Sequence, residues 1–312
     1  MPPASKHYPR TGTKPSPTRR SLAKASKAIQ ILHAQSLAQL PWLVHGFSTR
    51  QGGVSTCYGG NTLNLGLTQH DTKENLERNR ALFLGAVGAT SDDGRAWPLV
   101  QLKQIHSSVV RRVNVALGES LPGDGLITAT PGLLLAIKIA DCVPVLVVDV
   151  KCRAVGAFHA GWRGTVTRVV EKGIGEMRRQ FGSTPRDLRA VIGPSIRQCC
   201  YQVGAEVRAE FASQFSYADE LFEEVFDANA IHVRYPLLFL NQRAPGHGEL
   251  GPEIHLDLVA ANKRQLQDAG IREEHISVIE GCTACDRERF FSYRSEFGQT
   301  GRMMAVIGIR PK

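Results

Sequence analysis

Residues 143–150 read VPVLVVDV and residues 154–159 read AVGAFH, joined by Lys151-Cys152-Arg153. Two β-rich apolar runs separated by three polar residues read as an antiparallel hairpin. Such a hairpin excludes a purely parallel, doubly wound sheet. It also sets a geometry: the residue entering the first strand lies beside the residue leaving the second, and these are Cys142 and His159. A third soft ligand, His106, ends the apolar run at 97–105 (WPLVQLKQI). If that strand end reaches the same corner, a Cys-His-His set results. Such a set offers zinc three protein ligands and leaves a fourth position open for water or substrate.

Outward from the hairpin, the chain alternates strands and helices without an internal repeat. Residues 43–49, 98–105, 108–115, 133–139, 188–192, 276–280 and 303–309 read as strands. Residues 75–87, 203–215 and 256–269 read as helices, the last with Gly270 as its C-cap. Residues 165–181 carry Val166, Val169, Val170, Ile174 and Met177 at helical steps of three and four. The expected fold class is α+β: a layered sandwich with a mixed β-sheet and flanking helices. The Gly/Pro-rich stretch 241–252 (NQRAPGHGELGP) reads as a surface loop, and no linker divides the rest. The expected organisation is one catalytic domain at 41–312 behind an extension at 1–40.

Charge separates that extension from the body. Seven of the nine net positive charges, Lys6, Arg10, Lys14, Arg19, Arg20, Lys24 and Lys27, fall in the first 40 residues, which contain no Asp or Glu. The nearly neutral body argues against a nucleic-acid partner. The tail reads as disordered to about Thr18, followed by a short basic amphipathic helix at 21–40. It lacks the apolar segment of a secretory signal. No apolar run approaches the roughly 20 residues that cross a bilayer, so no membrane partner is expected and the cytoplasm is the expected compartment. Seven cysteines, several near His and Asp, suit metal or thiol chemistry better than a disulfide framework. Cys282 and Cys285 form a lone CxxC, read as structural or incidental for want of a second CxxC. The adjacent Cys199 and Cys200 read as small packed thiols.

Arg50 and Arg163 lie in glycine-containing turns after strand-like runs, where a planar guanidinium suits phosphate oxygens. Asp141, next to Cys142, is the candidate for proton handling or support of the metal ligands. Neither a P-loop nor a dinucleotide fingerprint is present.

These phrases form a recognisable series: His45-Gly46-Phe47-Ser48-Thr49-Arg50, Asn64-Leu65-Gly66, Gln104-Ile105-His106-Ser107, Asp124-Gly125-Leu126-Ile127-Thr128 and Ala140-Asp141-Cys142. It continues with His159-Ala160-Gly161-Trp162-Arg163-Gly164-Thr165, Cys199-Cys200-Tyr201, Cys282-Thr283 and Phe290-Phe291-Ser292-Tyr293-Arg294. In order and content the series resembles the YfiH family, the laccase-domain proteins with purine nucleoside phosphorylase activity. The resemblance implies a YfiH-like fold and phosphorolysis of purine nucleosides, S-methyl-5′-thioadenosine included, together with adenosine deamination. It implies zinc, with copper as the alternative, on His106, Cys142 and His159. Substrate and phosphate are then expected at Arg50, Arg163, Ser48 and Asn64. A cysteine hydrolase editing peptidoglycan precursors, with Cys142 as nucleophile and His159 as base, is the rival reading. A copper phenol oxidase ranks below it, because one His-Cys-His centre does not make a multicopper cluster. The sequence leaves the oligomeric state open.

Overall fold

The computed structural model describes residues 28–116, 118, 120–226, 234 and 252–311. Its strands, in chain order, are β1 (Ile31–Leu32), β2 (Leu43–Ser48), β3 (Gln51–Ser55), β4 (Leu99–Gln101), β5 (Val110–Arg112) and β6 (Gly125–Thr128). They continue as β7 (Leu134–Ile139), β8 (Val143–Asp149), β9 (Ala154–Ala160), β10 (Leu188–Ile192) and β11 (Gln202–Val203). The last four are β12 (Phe222–Val225), β13 (Glu253–Leu256), β14 (Ile276–Val278) and β15 (Met303–Ile309). The helices are α1 (Lys73–Val87), α2 (Trp162–Val166), α3 (Val169–Phe181), α4 (Ala205–Gln214) and α5 (Leu258–Asp268).

The hairpin forms as read: β8 and β9 pair antiparallel from Val143 opposite Ala160 to Asp149 opposite Ala154. Asp149 Oδ1 accepts the backbone N–H groups of Lys151 and Cys152 at 2.8 Å each, which shapes the turn. Two sheets, rather than one, make up the centre. A six-stranded sheet runs β14-β10-β8-β9-β6-β5 and a five-stranded sheet runs β1-β2-β15-β7-β4. Both are mixed, with β10–β14, β5–β6 and β4–β7 parallel among antiparallel neighbours.

Strand alternation explains the layering. Val143, Val145 and Val147 of β8 face one way, into a core with Val170, Ile174 and Met177 of α3 and Leu266 of α5. Leu146 and Val148 face the other way, into a second core shared with Leu135 and Ile137 of β7 and Ala305 and Ile307 of β15. On the far side of the five-stranded sheet, Leu134, Ala136, Met304 and Val306 pack on Phe83, Leu84 and Val87 of α1. The order is therefore helices, sheet, sheet, helix. Side chains on both faces of each central strand leave water, each worth roughly 1.5–3 kcal/mol when fully buried.

Three expectations are corrected here. The helix expected at 165–181 is two helices, because Arg168 takes a left-handed conformation (φ 63°) between them. Its guanidinium reaches Glu171 and the Gln214 carbonyl. The extension expected at 1–40 is too long. Ile31 and Leu32 pair with Phe47 and Ser48, and Leu37 is buried in the core between the sheets. A strand and a short 3-10 turn thus stand where part of a basic helix was expected. The rest of that extension, residues 1–27, lies outside the described residues, as does the loop of 241–252 up to residue 251. No described helix is long and apolar enough to cross a membrane.

Candidate functional site

The connection from β7 to β8 passes from one central sheet to the other, and Asp141-Cys142 lie in it. His159 lies near the end of β9, opposite Pro144 of β8, and His106 lies in the loop between β4 and β5. The three expected ligands meet: one ligating atom from each of His106, Cys142 and His159 falls within 4.8 Å of the others. Cys142 Sγ stands 3.9 Å from His106 Nε2, and the two imidazole rings meet edge to face at 5.0 Å. His159 is buried, Cys142 partly buried and His106 exposed, so the corner opens to solvent on the His106 side.

A residue without an assigned role in the sequence analysis organises this corner. Asp124, fully buried just before β6, accepts from His159 Nδ1 at 2.8 Å through Oδ1. A carboxylate has no proton to give, so Nδ1 carries a hydrogen. Burial would lower the His159 ring, but Cys142 and Asp124 raise it to about 9. Nε2 therefore offers its lone pair to a metal only on giving up its own proton. The same carboxylate accepts the backbone N–H groups of Ile105 (3.2 Å), His106 (3.0 Å) and Ser107 (2.6 Å), and the Ser107 hydroxyl (2.8 Å). One side chain therefore aims one histidine and folds the loop of the other. It holds His106 in a left-handed conformation (φ 58°) that a β-carbon disfavours. Burial alone would raise the Asp124 carboxyl, but bonds from His159 and Ser107 outweigh it and bring it down to about 2.

Cys142 is prepared in a similar way. Burial would push its thiol up, but the facing His159 and His106 lower it to about 6, toward the thiolate that metals bind. Asp141, at φ 94°, is clamped by the closing loop. Its Oδ1 accepts from the Thr283 hydroxyl at 2.6 Å and its Oδ2 from the Arg294 N–H at 2.7 Å. Burial raises this carboxyl. Both oxygens of Asp141, the residue before Cys142, are thus engaged by the loop. Gly161 leaves the space that the cluster needs: a β-carbon there would lie 2.9 Å from Cys142 Sγ and 3.0 Å from His106 Cδ2.

The other expected residues divide. Arg163, in the first turn of α2, is exposed, with its guanidinium 4.4 Å from the centre of the Trp162 ring. Arg50 is committed to the fold. Its Nη1 donates to the carbonyls of Arg287 and Phe290 and to Glu296, its Nη2 donates to the Tyr58 carbonyl, and it stacks on Phe291. Ser48 Oγ accepts from the Met304 N–H. Asn64 bonds Gly66 in both directions, Asp71 and the Arg302 N–H. Ser48 and Asn64 are buried and internally bonded, so their part is to hold β2 and β15 in register and to shape a turn. Two unassigned residues lie nearer the corner. Tyr201 interacts electrostatically with Cys142, Arg294, Asp141 and Arg163. Arg294 stacks over the Tyr201 ring at 5.3 Å and donates to the Gln202 carbonyl at 2.7 Å. Their place in motifs at 199–201 and 290–294 was the available signal.

Residues 44–310 match the model of the family described as multi-copper polyphenol oxidoreductase laccase. The chain belongs to this laccase family. A protein of Deinococcus radiodurans named purine nucleoside phosphorylase is 36% identical over 287 residues, covering 90% of this chain and 93% of that protein. A protein from an unidentified prokaryote, named adenosine deaminase RL5, is 33% identical, covering 85% of this chain and 93% of its own. The crystal structure of YfiH from Bacillus licheniformis superposes with a TM-score of 0.71 at 32% identity, covering 86% of this chain and 93% of that one. The laccase-family fold and the YfiH resemblance read from the motifs therefore hold.

Proposed function

We propose that this chain is a zinc-dependent purine nucleoside phosphorylase that also deaminates adenosine and cleaves S-methyl-5′-thioadenosine with phosphate. The convergence of His106, Cys142 and His159, with Asp124 behind two of them, is the observation that carries this reading. The names of the relatives give its substrate class. Two imidazoles and a thiol primed to ionise suit zinc, which when bound supplies Lewis acidity toward a purine or a water. The remaining roles belong to the protein. His159 is held in one tautomer by Asp124, and Cys142 is fixed by the clamped Asp141. Arg163 is the residue we assign to phosphate, because its guanidinium is exposed beside the corner while that of Arg50 is held inside the fold. In phosphorolysis a phosphate oxygen bonds to ribose C1′ as the bond from C1′ to the purine breaks. Arg163 offsets the phosphate charge during that attack. Tyr201, whose phenol is raised by burial and by the facing Cys142, stays neutral and offers an O–H to the purine. The seven unpaired thiols suit a reducing cytoplasm, where we place the protein.

A second reading draws on one observation. The order Asp124, His159, Cys142 also describes an activated cysteine of an amide hydrolase. His106 has no task in that scheme. The deciding experiment combines metal analysis of gently purified protein with turnover of inosine and adenosine, with and without phosphate. One zinc lost on Cys142→Ser, together with phosphate-dependent release of hypoxanthine, is the expected result. Activity on an amide by metal-free protein, with no nucleoside turnover, would establish the hydrolase instead.

A further inference from the structure

Cys199, Cys200, Cys282 and Cys285 form a second cluster, separate from the His106 corner, in which one sulfur from each falls within 4.8 Å of all the others. Cys199 and Cys200, expected as small packed thiols, are exposed and half-buried, and they face the lone CxxC of Cys282 and Cys285. A short parallel bridge between Ser195 and Cys282 brings the loop at 196–201 against the loop at 281–285. The CxxC thereby gains the second pair of cysteines that the sequence lacked as a motif.

We infer that these four cysteines hold a single zinc ion that ties the two loops together. Cys199 Sγ lies 3.8 Å from Cys200 Sγ and 3.6 Å from Cys285 Sγ, and Cys200 Sγ lies 3.2 Å from Cys285 Sγ. A tetrahedral zinc with bonds of about 2.3 Å sets its sulfurs about 3.8 Å apart. A disulfide needs about 2.05 Å, and all four cysteines are unpaired. Cys199 and Cys285 are exposed, which gives an ion a path in.

The position gives the ion a task. Tyr201 directly follows Cys200. Thr283 directly follows Cys282, donates its hydroxyl to Asp141 and its N–H to the Ser195 carbonyl. A metal on the four sulfurs therefore fixes two walls of the His106–Cys142–His159 corner without entering it.

The test counts metal in the full-length protein purified with a reductant and without chelator. Wild type is expected to carry two zinc ions per chain, Cys285→Ser one, Cys142→Ser one, and the double variant none. Cobalt(II) added to metal-free Cys142→Ser should give the intense sulfur-to-cobalt absorption of a four-thiolate site. If Cys285→Ser fails to fold, the cobalt spectrum and zinc content of Cys142→Ser decide the matter. Cys142→Ser protein without zinc, or carrying a disulfide or an iron–sulfur cluster at these cysteines, overturns the inference. So does Cys285→Ser protein that keeps the wild-type metal content. Loss of the other zinc alone bears on the proposed function and not on this site.

Discussion

Asp124 Oδ1 stands 2.8 Å from His159 Nδ1 while its second oxygen gathers the N–H groups of Ile105 and Ser107 and the Ser107 hydroxyl. The carboxylate cannot be replaced by an amide of the same shape. In Asp124→Asn one of the two acceptor positions becomes an NH2 group facing other donors. The loop of His106 or the ring of His159 must then shift. Metal affinity should fall by about 10–100-fold, the usual cost of losing such a partner. Competition with a chromophoric chelator measures it, and unchanged affinity would show that Asp124 serves folding alone.

Gly161 gives a more local test. Its backbone (φ −69°, ψ 172°) is open to alanine, so Gly161→Ala introduces no torsional strain. The new methyl group meets Cys142 Sγ at 2.9 Å and the His106 ring at 3.0 Å. The ligands must move apart, and zinc affinity should drop by about tenfold or more, with little change in thermal midpoint. Zinc retention equal to wild type would show that the corner yields without loss.

Part of this site was legible in the sequence and part was not. The hairpin announced itself through β-branched runs around a short turn, and it brought Cys142 to His159. Asp124 was visible only as a motif, because β6 is four residues long and its pairing with β9 is a tertiary fact. The partners of Arg50 are mostly backbone carbonyls, two of them at Arg287 and Phe290 far along the chain, which no side-chain pattern reveals. The four-cysteine cluster depends on tertiary contacts between the loops, the bridge of Ser195 with Cys282 and the bonds from Arg197 to Ile279 and Gly281. The division into two sheets was hidden for another reason. Strands buried on both faces are apolar at every position, so their periodicity does not say which face meets which layer.

His45 makes stability depend on pH. It is buried, and its Nε2 accepts the Ala34 N–H at 3.0 Å, a role open only to the neutral ring. Burial and the neighbouring His33 lower it from 6.5 to about 4. The unfolded chain therefore binds the proton first, and stability is lost as pH falls from 6.5 toward 4. The loss reaches roughly 3 kcal/mol once both states are protonated. In His45→Gln, whose amide oxygen also accepts, this part of the acid sensitivity should vanish. Urea midpoints at pH 7 and pH 4.5 check it, and an equal fall in both proteins would remove His45 as the cause.

Truncation distinguishes the basic tail from the segment that follows it. Gln30 accepts the Thr49 N–H and hydroxyl, Ile31 and Leu32 extend the five-stranded sheet, and Leu37 is 2% exposed. Removing residues 1–27 should leave turnover and thermal midpoint close to those of the full chain. Removing 1–40 should lower stability by several kcal/mol, since burial of Leu37 alone is worth roughly 1.5–3 kcal/mol. Equal thermal midpoints for the two truncations would mean that residues 28–40 contribute nothing.

The arginines separate phosphorolysis from deamination. Arg163 stands exposed on the first turn of α2, braced on Trp162, whereas the guanidinium of Arg50 is bound by three backbone carbonyls and Glu296. Lysine keeps the charge but not the planar fork that grips two oxygens at once. Arg163→Lys should raise the apparent phosphate KM for inosine cleavage by about tenfold, the loss of one charge-assisted bond. It should keep its zinc and release ammonia from adenosine at a rate closer to wild type, because water rather than phosphate attacks in that reaction. Arg50→Lys should instead lower the thermal midpoint and reduce both reactions together, since it loosens the loop at 287–296 on which Asp141 depends through Arg294. Phosphate-dependence kinetics beside ammonia release, run on both variants, separates these outcomes. An unchanged phosphate KM in Arg163→Lys, or a phosphate-specific defect in Arg50→Lys, would reverse the assignment.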